Sequence, residues 1–350
     1  MSYTLPQKLQ KLVPYAPLTG EYSIRLDANE SFLSPPEWLL DKLMQAVRQV
    51  AFNRYPDPYC VALCERFAAF FGIAPSLVVA GNGSDELIGL IVASFLQPGE
   101  TMVTVKPDFS MYAFYAQMAG AQVAVFEKTA LALDAKSLLV FAKERSARLL
   151  ILSNPCNPTS LVASQREILQ LVEGLPDCLV VIDEAYMDFS EGSILQKAAD
   201  YSNLIVLKTC SKAFGMAAIR LGFAVAHPTL AIALKAAKSP YNVNSMTQAV
   251  GCVLLEQRQY LLDCIEQLKA SRDQLCKRLQ ALAVHKTDLL EVVQTCANFV
   301  FVQVQSPEEV CTKAAERGVA LRCMPPFLRI SAGSPAENQA VCQLLEEILN

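Results

Sequence analysis

Six short apolar runs recur through the middle of the chain, at Thr101–Val105, Gln122–Phe126, Leu149–Leu152, Leu179–Ile182, Leu204–Leu207 and Leu221–Ala226. Amphipathic segments with helical spacing alternate with them, at Asp85–Leu96, Ser110–Ala119, Lys136–Glu144 and Ser164–Val172. That alternation predicts an α/β fold with a mostly parallel central sheet flanked by helices. The last third reads differently. A long helical tract from about Met246 to Ala283 is followed by strand-like Phe299–Val304, a helix from Pro307 to about Arg317, short strands near Ala320 and Leu328, and a final helix from Pro335. This pattern predicts a smaller α+β domain, which Trp38–Val50 joins. With 350 residues the chain has room for both units. The expected division is an N-terminal arm over 1–25, a large domain over 50–245, and a small domain built from 26–49 with 246–350.

Several function classes are excluded by inventory. The longest apolar stretches, such as Leu87–Leu96, reach about half of a ~20-residue membrane span. The N-terminus MSYTLPQKLQKL has no secretory h-region, so a cytoplasmic protein away from membranes is expected. The net charge is −4 and no dense Lys/Arg run is present, which argues against nucleic acid. Twelve cysteines are scattered without any C-x-x-C, so buried free thiols are expected rather than disulfides or a metal site. Only two histidines occur, His227 and His285, and neither has a neighbour that would make it a base or a ligand. Catalysis must then rest on Lys, Asp, Tyr, Arg or a cofactor.

The segment Lys208-Thr-Cys-Ser211-Lys212-Ala-Phe-Gly-Met-Ala-Ala-Ile-Arg220 follows a predicted strand. Lysine forms Schiff bases with carbonyl cofactors, and a hydroxyl and a guanidinium nearby suit a phosphate. An isolated Ser-Lys is usually just a solvated lysine. Leu179–Ile182 runs into Asp183-Glu-Ala-Tyr186, placing an acid at the C-terminal edge of a parallel strand, where open α/β sheets bind ligands. Such an acid can keep a pyridine nitrogen protonated, and Tyr186 can donate to a ring oxygen; a helix cap is the ordinary alternative. Ser153-Asn154-Pro-Cys-Asn157-Pro158-Thr159 is a turn with amides at another strand end. Gly81-Asn82-Gly83-Ser84-Asp85-Glu86 opens a helix and can close backbone N–H groups around a phosphate. It is not a dinucleotide fingerprint, because Glu86 stands where a third glycine is needed. Pro107-Asp-Phe-Ser-Met-Tyr112 supplies aromatic rings for a core or for stacking on a flat cofactor.

In order and spacing these segments resemble the fold type I pyridoxal-5′-phosphate (PLP) aminotransferases, the aspartate aminotransferase-like fold, and within them the histidinol-phosphate aminotransferase branch. Val13-Pro-Tyr15, Leu26-Asp-Ala-Asn29-Glu30, Arg54-Tyr55-Pro56-Asp57 and Leu328-Arg329-Ile330 extend the likeness over most of the chain. The resemblance implies that Lys212 carries PLP, Asp183 pairs with the pyridinium nitrogen, and Asn157 and Tyr186 bind the ring oxygen. It implies that Tyr112 stacks on the ring. Backbone N–H groups of Ser84 and Asp85, with Ser211 and Arg220, would hold the phosphate. Tyr55 matches a tyrosine that reaches the phosphate from a second subunit, which implies a homodimer with shared active sites. Arg329 matches the arginine that grips a carboxylate, and Tyr15, Asn29 and Arg322 belong to the substrate side.

The implied activity is transfer of an amino group from L-histidinol phosphate, or a related donor, to 2-oxoglutarate in a ping-pong cycle. A threonine-phosphate-type PLP decarboxylase and an aromatic or other amino-acid aminotransferase are the alternatives on the same scaffold. Three departures stand out. Ser160 replaces the glycine usual after Asn-Pro-Thr, Ser31 follows Asn29-Glu30 where Asn-Pro is usual, and only six residues separate Arg322 from Arg329.

Overall fold

The computed structural model describes residues 3–10, 12, 14 and 18–350. In chain order the strands are β1 (Ile24–Leu26), β2 (Val78–Gly81), β3 (Thr101–Lys106), β4 (Gln122–Glu127), β5 (Leu149–Ser153), β6 (Leu179–Asp183), β7 (Leu204–Thr209), β8 (Gly222–Ala226), β9 (Leu289–Val292), β10 (Phe299–Val304), β11 (Val319–Met324) and β12 (Phe327–Ser331). Among the described residues they form two sheets. The larger has seven strands in the order β2-β8-β7-β6-β5-β3-β4, and the smaller has five in the order β1-β11-β12-β10-β9. In the larger sheet only β8 runs against its neighbours β2 and β7.

The central strands are apolar on both faces because both faces are covered. Val180 and Ile182 of β6 pack into one core cluster, while Leu179 and Val181, alternating with them, pack into another on the opposite side. Register then aligns the chemistry-bearing ends. Ser153 pairs with Asp183, Asp183 with Leu207, Thr209 with Gly222, and Gly222 with Gly81. The loops that leave β2, β5, β6 and β7, and the one that enters β8, therefore meet at one sheet edge.

The expected strands and helices of the middle region are present, with bounds shifted by a residue or two. The helical tract near 246–283 is two helices, Ser245–Glu256 and Arg258–Ala283, interrupted at Gln257. No period in the sequence marks β1, β2 or β9, or the helices Val61–Phe71 and Pro228–Ala237. Three- and four-residue strands are too short to show a period, and Val61–Phe71 is apolar around most of its circumference.

The cores divide the chain differently from the expected domain bounds. Leu39, Leu43, Leu254, Leu261 and Leu268 pack into the core beneath the large sheet. The small-sheet core takes Leu26 and then begins again at Leu275, inside the long helix. Helix Glu37–Arg48 therefore belongs with the large core rather than with the small domain, because its apolar face meets Ser245–Glu256. Strand β1 pairs in parallel with β11, so the small sheet begins at Ile24. All twelve cysteines are free. Among the described residues no helix is long and apolar enough to cross a membrane.

Candidate active site

Asp183 ends β6 and is buried. Its Oδ2 accepts a hydrogen bond from the Tyr112 hydroxyl at 2.9 Å and its Oδ1 accepts from the Ala185 amide at 3.1 Å. Burial pushes the carboxyl above its ordinary range, and these two donors offset only part of that. A cation beside this buried acid would complete it, and a protonated ring nitrogen would serve. Behind it, Lys208 Nζ lies 2.8 Å from Asp188 and 3.7 Å from Glu184, with all three side chains nearly or fully buried. This cluster ties the end of β6 to the end of β7, the two strands that deliver Asp183 and Lys212. Nothing local in the sequence around Lys208 marks partners 20 or more residues away.

Lys212 is half-buried, and its ammonium donates to the Ala28 carbonyl at 2.9 Å. The same ammonium stands 6.0 Å from the centroid of the Tyr186 ring. Tyr186 is buried, its hydroxyl accepts from Asn29 Nδ2 at 3.0 Å, and its ring meets Phe299 edge-on at 5.3 Å. Asn29 is thus placed behind Tyr186, fully buried and with φ of 55°, rather than against a substrate. Its backbone N–H and Oδ1 both bond the Ser331 hydroxyl, and its carbonyl accepts from Asn298, so the side chain is committed to the fold.

A cradle for an anion lies at the start of helix Ser84–Phe95. Gly83 precedes it with φ of 86°, which leaves the first N–H groups facing outward. A Cβ at Gly83 would stand 2.8 Å from Arg220 Nη2, and one at Gly222 would overlap the Ser84 nitrogen. Both glycines are needed for the backbone and the guanidinium to approach this closely. Arg220 Nη1 reaches Ser211 Oγ at 3.4 Å. Helix N–H groups, a hydroxyl and a guanidinium around a space cleared of side chains fit a phosphate. Together with Asp183 and Lys212, they fit PLP.

The two Asn-Pro turns divide their work. Asn154 bonds the Ala163 backbone twice, closing the loop, whereas Asn157 Oδ1 accepts from Arg329 Nη1 at 2.7 Å. Asp108 holds the loop from the other side by accepting from the Ser153 amide at 3.0 Å and from the Ser153 hydroxyl. That hydroxyl in turn accepts from the Asn157 amide at 2.9 Å. Asp108 was unmarked in the sequence because its partner lies 45 residues away.

Tyr112 departs from its expected place. Its ring has no exposed surface and its hydroxyl is spent on Asp183, so it cannot lie open to a cofactor face. Phe109, partly buried and edge-on to Tyr112 at 5.5 Å, is the more exposed of the two rings. Phe109 precedes helix Met111–Met118 and Tyr112 lies in its first turn, a difference that the local sequence did not mark.

On the small sheet, β11 and β12 form a hairpin through Pro325 and Pro326, and Arg322 is the direct cross-strand partner of Arg329. The short connection therefore places both guanidiniums on one face. Among the described residues Arg322 has no ion-pair partner; it lines a cleft with Leu18, Tyr22, Cys311 and Cys323. Arg329 reaches past its sheet to Asn157 and to the Asp27 carbonyl. Tyr15, expected on the substrate side, lies outside the described residues. Tyr55 is 81% exposed and stacks on Tyr241 at 4.6 Å. His227 caps helix Pro228–Ala237, away from these groups.

A family model for class I and II aminotransferases matches residues 22–345. The chain is 40% identical over 349 residues to a histidinol-phosphate aminotransferase of Clostridium kluyveri, covering 98% of each chain. Its fold is similar to that of the histidinol-phosphate aminotransferase from Sinorhizobium meliloti in complex with pyridoxal-5′-phosphate (TM-score 0.88, 22% identity, 99% and 98% of the two chains). It is also similar to the fold of an L-threonine-O-3-phosphate decarboxylase from Porphyromonas gingivalis (TM-score 0.78, 19% identity, 93% and 98%).

Proposed function

The chain belongs to the class I and II aminotransferases, PLP-dependent enzymes, and from that premise we propose that it moves the amino group of L-histidinol phosphate, or a related donor, to 2-oxoglutarate by a ping-pong cycle. The observation that carries this reading is the 2.7 Å bond between Arg329 and Asn157. It sets a fork for carboxylate, on the small sheet, against the rim of the cofactor cradle. The relative at 40% identity supports the choice of donor.

PLP, when bound, supplies an electron sink conjugated to the amino carbon of the substrate. The residues divide the remaining work. Lys212 carries the cofactor and moves the proton at the amino carbon, as general base in one half-reaction and general acid in the other. Asp183 keeps a proton on the ring nitrogen. Asn157 and Tyr186 bond the ring oxygen, and Phe109 covers one ring face. Ser84, Asp85, Ser211 and Arg220 hold the phosphate. Arg329 orients the carboxylate of the dicarboxylic partner, while Arg322 and Tyr15 receive the distal anion of the other substrate. Tyr112 and Asn29 act one step back, through Asp183 and Tyr186.

Tyr55 is assigned to the phosphate of a second copy. Its exposure, with Phe52 at 72% and Tyr59 at 58%, supports a homodimer. Light scattering of wild type and Tyr55→Ala tests the pairing. The activity is tested by half-reaction absorbance with L-histidinol phosphate, glutamate and aromatic amino acids. Loss of the yellow form with histidinol phosphate at low concentration supports the proposal. Release of carbon dioxide from a phosphorylated amino acid, without a pyridoxamine form, would establish the decarboxylase instead.

A further inference from the structure

Ser160 holds a left-handed backbone, with φ of 63°, and has no solvent exposure. Glycine adopts that conformation freely, and a serine there is strained unless its side chain compensates. The compensation lies on the segment that enters β10. Ser160 Oγ accepts from the amides of Cys296 and Ala297, both at 2.8 Å, and lies 2.7 Å from Thr295 Oγ1. The Thr295 hydroxyl donates to the Phe299 carbonyl, so the proton between the two hydroxyls comes from Ser160. The hydroxyl thus uses its one donor and both lone pairs on a single segment. The Ser160 carbonyl accepts from the Cys296 amide as well, at 3.1 Å.

Both ends of this contact lead to the site. On one side, the loop closed by Ser160 carries Asn157, and the Ser160 amide bonds the Cys156 carbonyl at 2.7 Å. On the other, residues 295–297 run directly into β10, where Phe301 stands opposite Arg329 of β12. We propose that Ser160 is a positioning residue, a latch that fixes the reach of Arg329 toward Asn157 and so sets the affinity for the substrate carboxylate. A glycine at this position would hold the same turn and keep the backbone bond to Cys296, but would lose the three contacts of the hydroxyl to residues 295–297. The inference rests on Arg329 being the carboxylate arginine.

The test uses the PLP-loaded protein and Ser160→Gly, which removes the hydroxyl while suiting the backbone; Thr295→Val removes the acceptor from the far side. Amide hydrogen exchange across 295–304 reads the latch directly. Calorimetry with succinate, which binds as a dicarboxylate but cannot react, reads the arginine. We expect faster exchange in this segment and succinate binding weaker by about five- to twentyfold in both variants, a partial transmission of the two or three hydrogen bonds each variant loses. The KM for glutamate should rise with kcat changed less, and the cofactor absorbance should stay in place. Unchanged exchange, or unchanged succinate affinity despite faster exchange, overturns the latch. If wild type itself binds no succinate, the assignment of Arg329 falls instead, a result visible before any variant is made.

Discussion

The Tyr112 hydroxyl donates to Asp183 Oδ2 across 2.9 Å, from a ring with no exposed surface. That bond makes Tyr112 a support for Asp183, the acid proposed to pair with the ring nitrogen. Tyr112→Phe keeps the packing and leaves Asp183 with the Ala185 amide as its remaining donor, so the carboxyl should rise further and hold the ring proton less well. We expect the half-reaction rate to fall by about tenfold, the effect of one hydrogen bond to a charged group. Asp183→Asn, which removes the charge itself, should cost at least about a hundredfold. Stopped-flow absorbance of both variants checks the order; equal rates in Tyr112→Phe and wild type would mean the bond is idle.

Lys212→Ala should abolish turnover and the yellow absorbance while phosphate contacts through Ser211 and Arg220 still retain some cofactor. Borohydride treatment of wild type, followed by peptide mapping, should place the cofactor on Lys212. A label on any other lysine ends the assignment.

Arg329→Ala and Arg322→Ala should separate the two anions. Loss of a bidentate, charge-assisted contact costs about 1.5–3 kcal/mol in kcat/KM, or one to two powers of ten. Arg329→Ala should impair glutamate and 2-oxoglutarate. Arg322→Ala should impair a phosphorylated donor more than an unphosphorylated one. Identical kinetics for every phosphorylated or dicarboxylic substrate would put Arg322 outside the pocket.

Asp108 titrates in a range that a stability measurement can reach. Burial pushes its carboxyl up to about 7 from an ordinary 3.8, although Ser153 and Phe109 donate to it. Between those values the folded chain keeps a proton that the unfolded chain has released. Its contribution is therefore full below the ordinary carboxylate value and is lost as pH rises through about 7, at up to about 1.4 kcal/mol per pH unit. Asp108→Asn is neutral throughout, so its stability relative to wild type should increase from pH 4.5 to 8. Urea unfolding of both proteins at three pH values measures this, and a constant difference would show that Asp108 does not titrate there.

The order of strands and helices, and the placing of Lys212, Asp183, Asn157 and Arg220 at strand ends, was legible in the sequence. The physical reason is local: an apolar run must be buried, and the first polar residue after it leaves the sheet at its edge. The glycines around Ser84 were legible for the same reason, since backbone approach to an anion excludes a side chain on the spot. Other features depended on partners that no local pattern names. Phe109 and Tyr112 stand three residues apart in one short segment, and only the tertiary bond of Tyr112 to Asp183 on β6 tells them apart. Asn29 was sent behind Tyr186 by Ser331 and Asn298, some 270–300 residues away. The six-residue gap that set Arg322 apart in the sequence became, as a Pro-Pro hairpin, the reason it stands opposite Arg329. Ser160 was visible as a serine in place of a glycine, but its hold on residues 295–297 was not. Periodicity reports which face of a segment is buried; only the closed tertiary structure decides what that face is buried against.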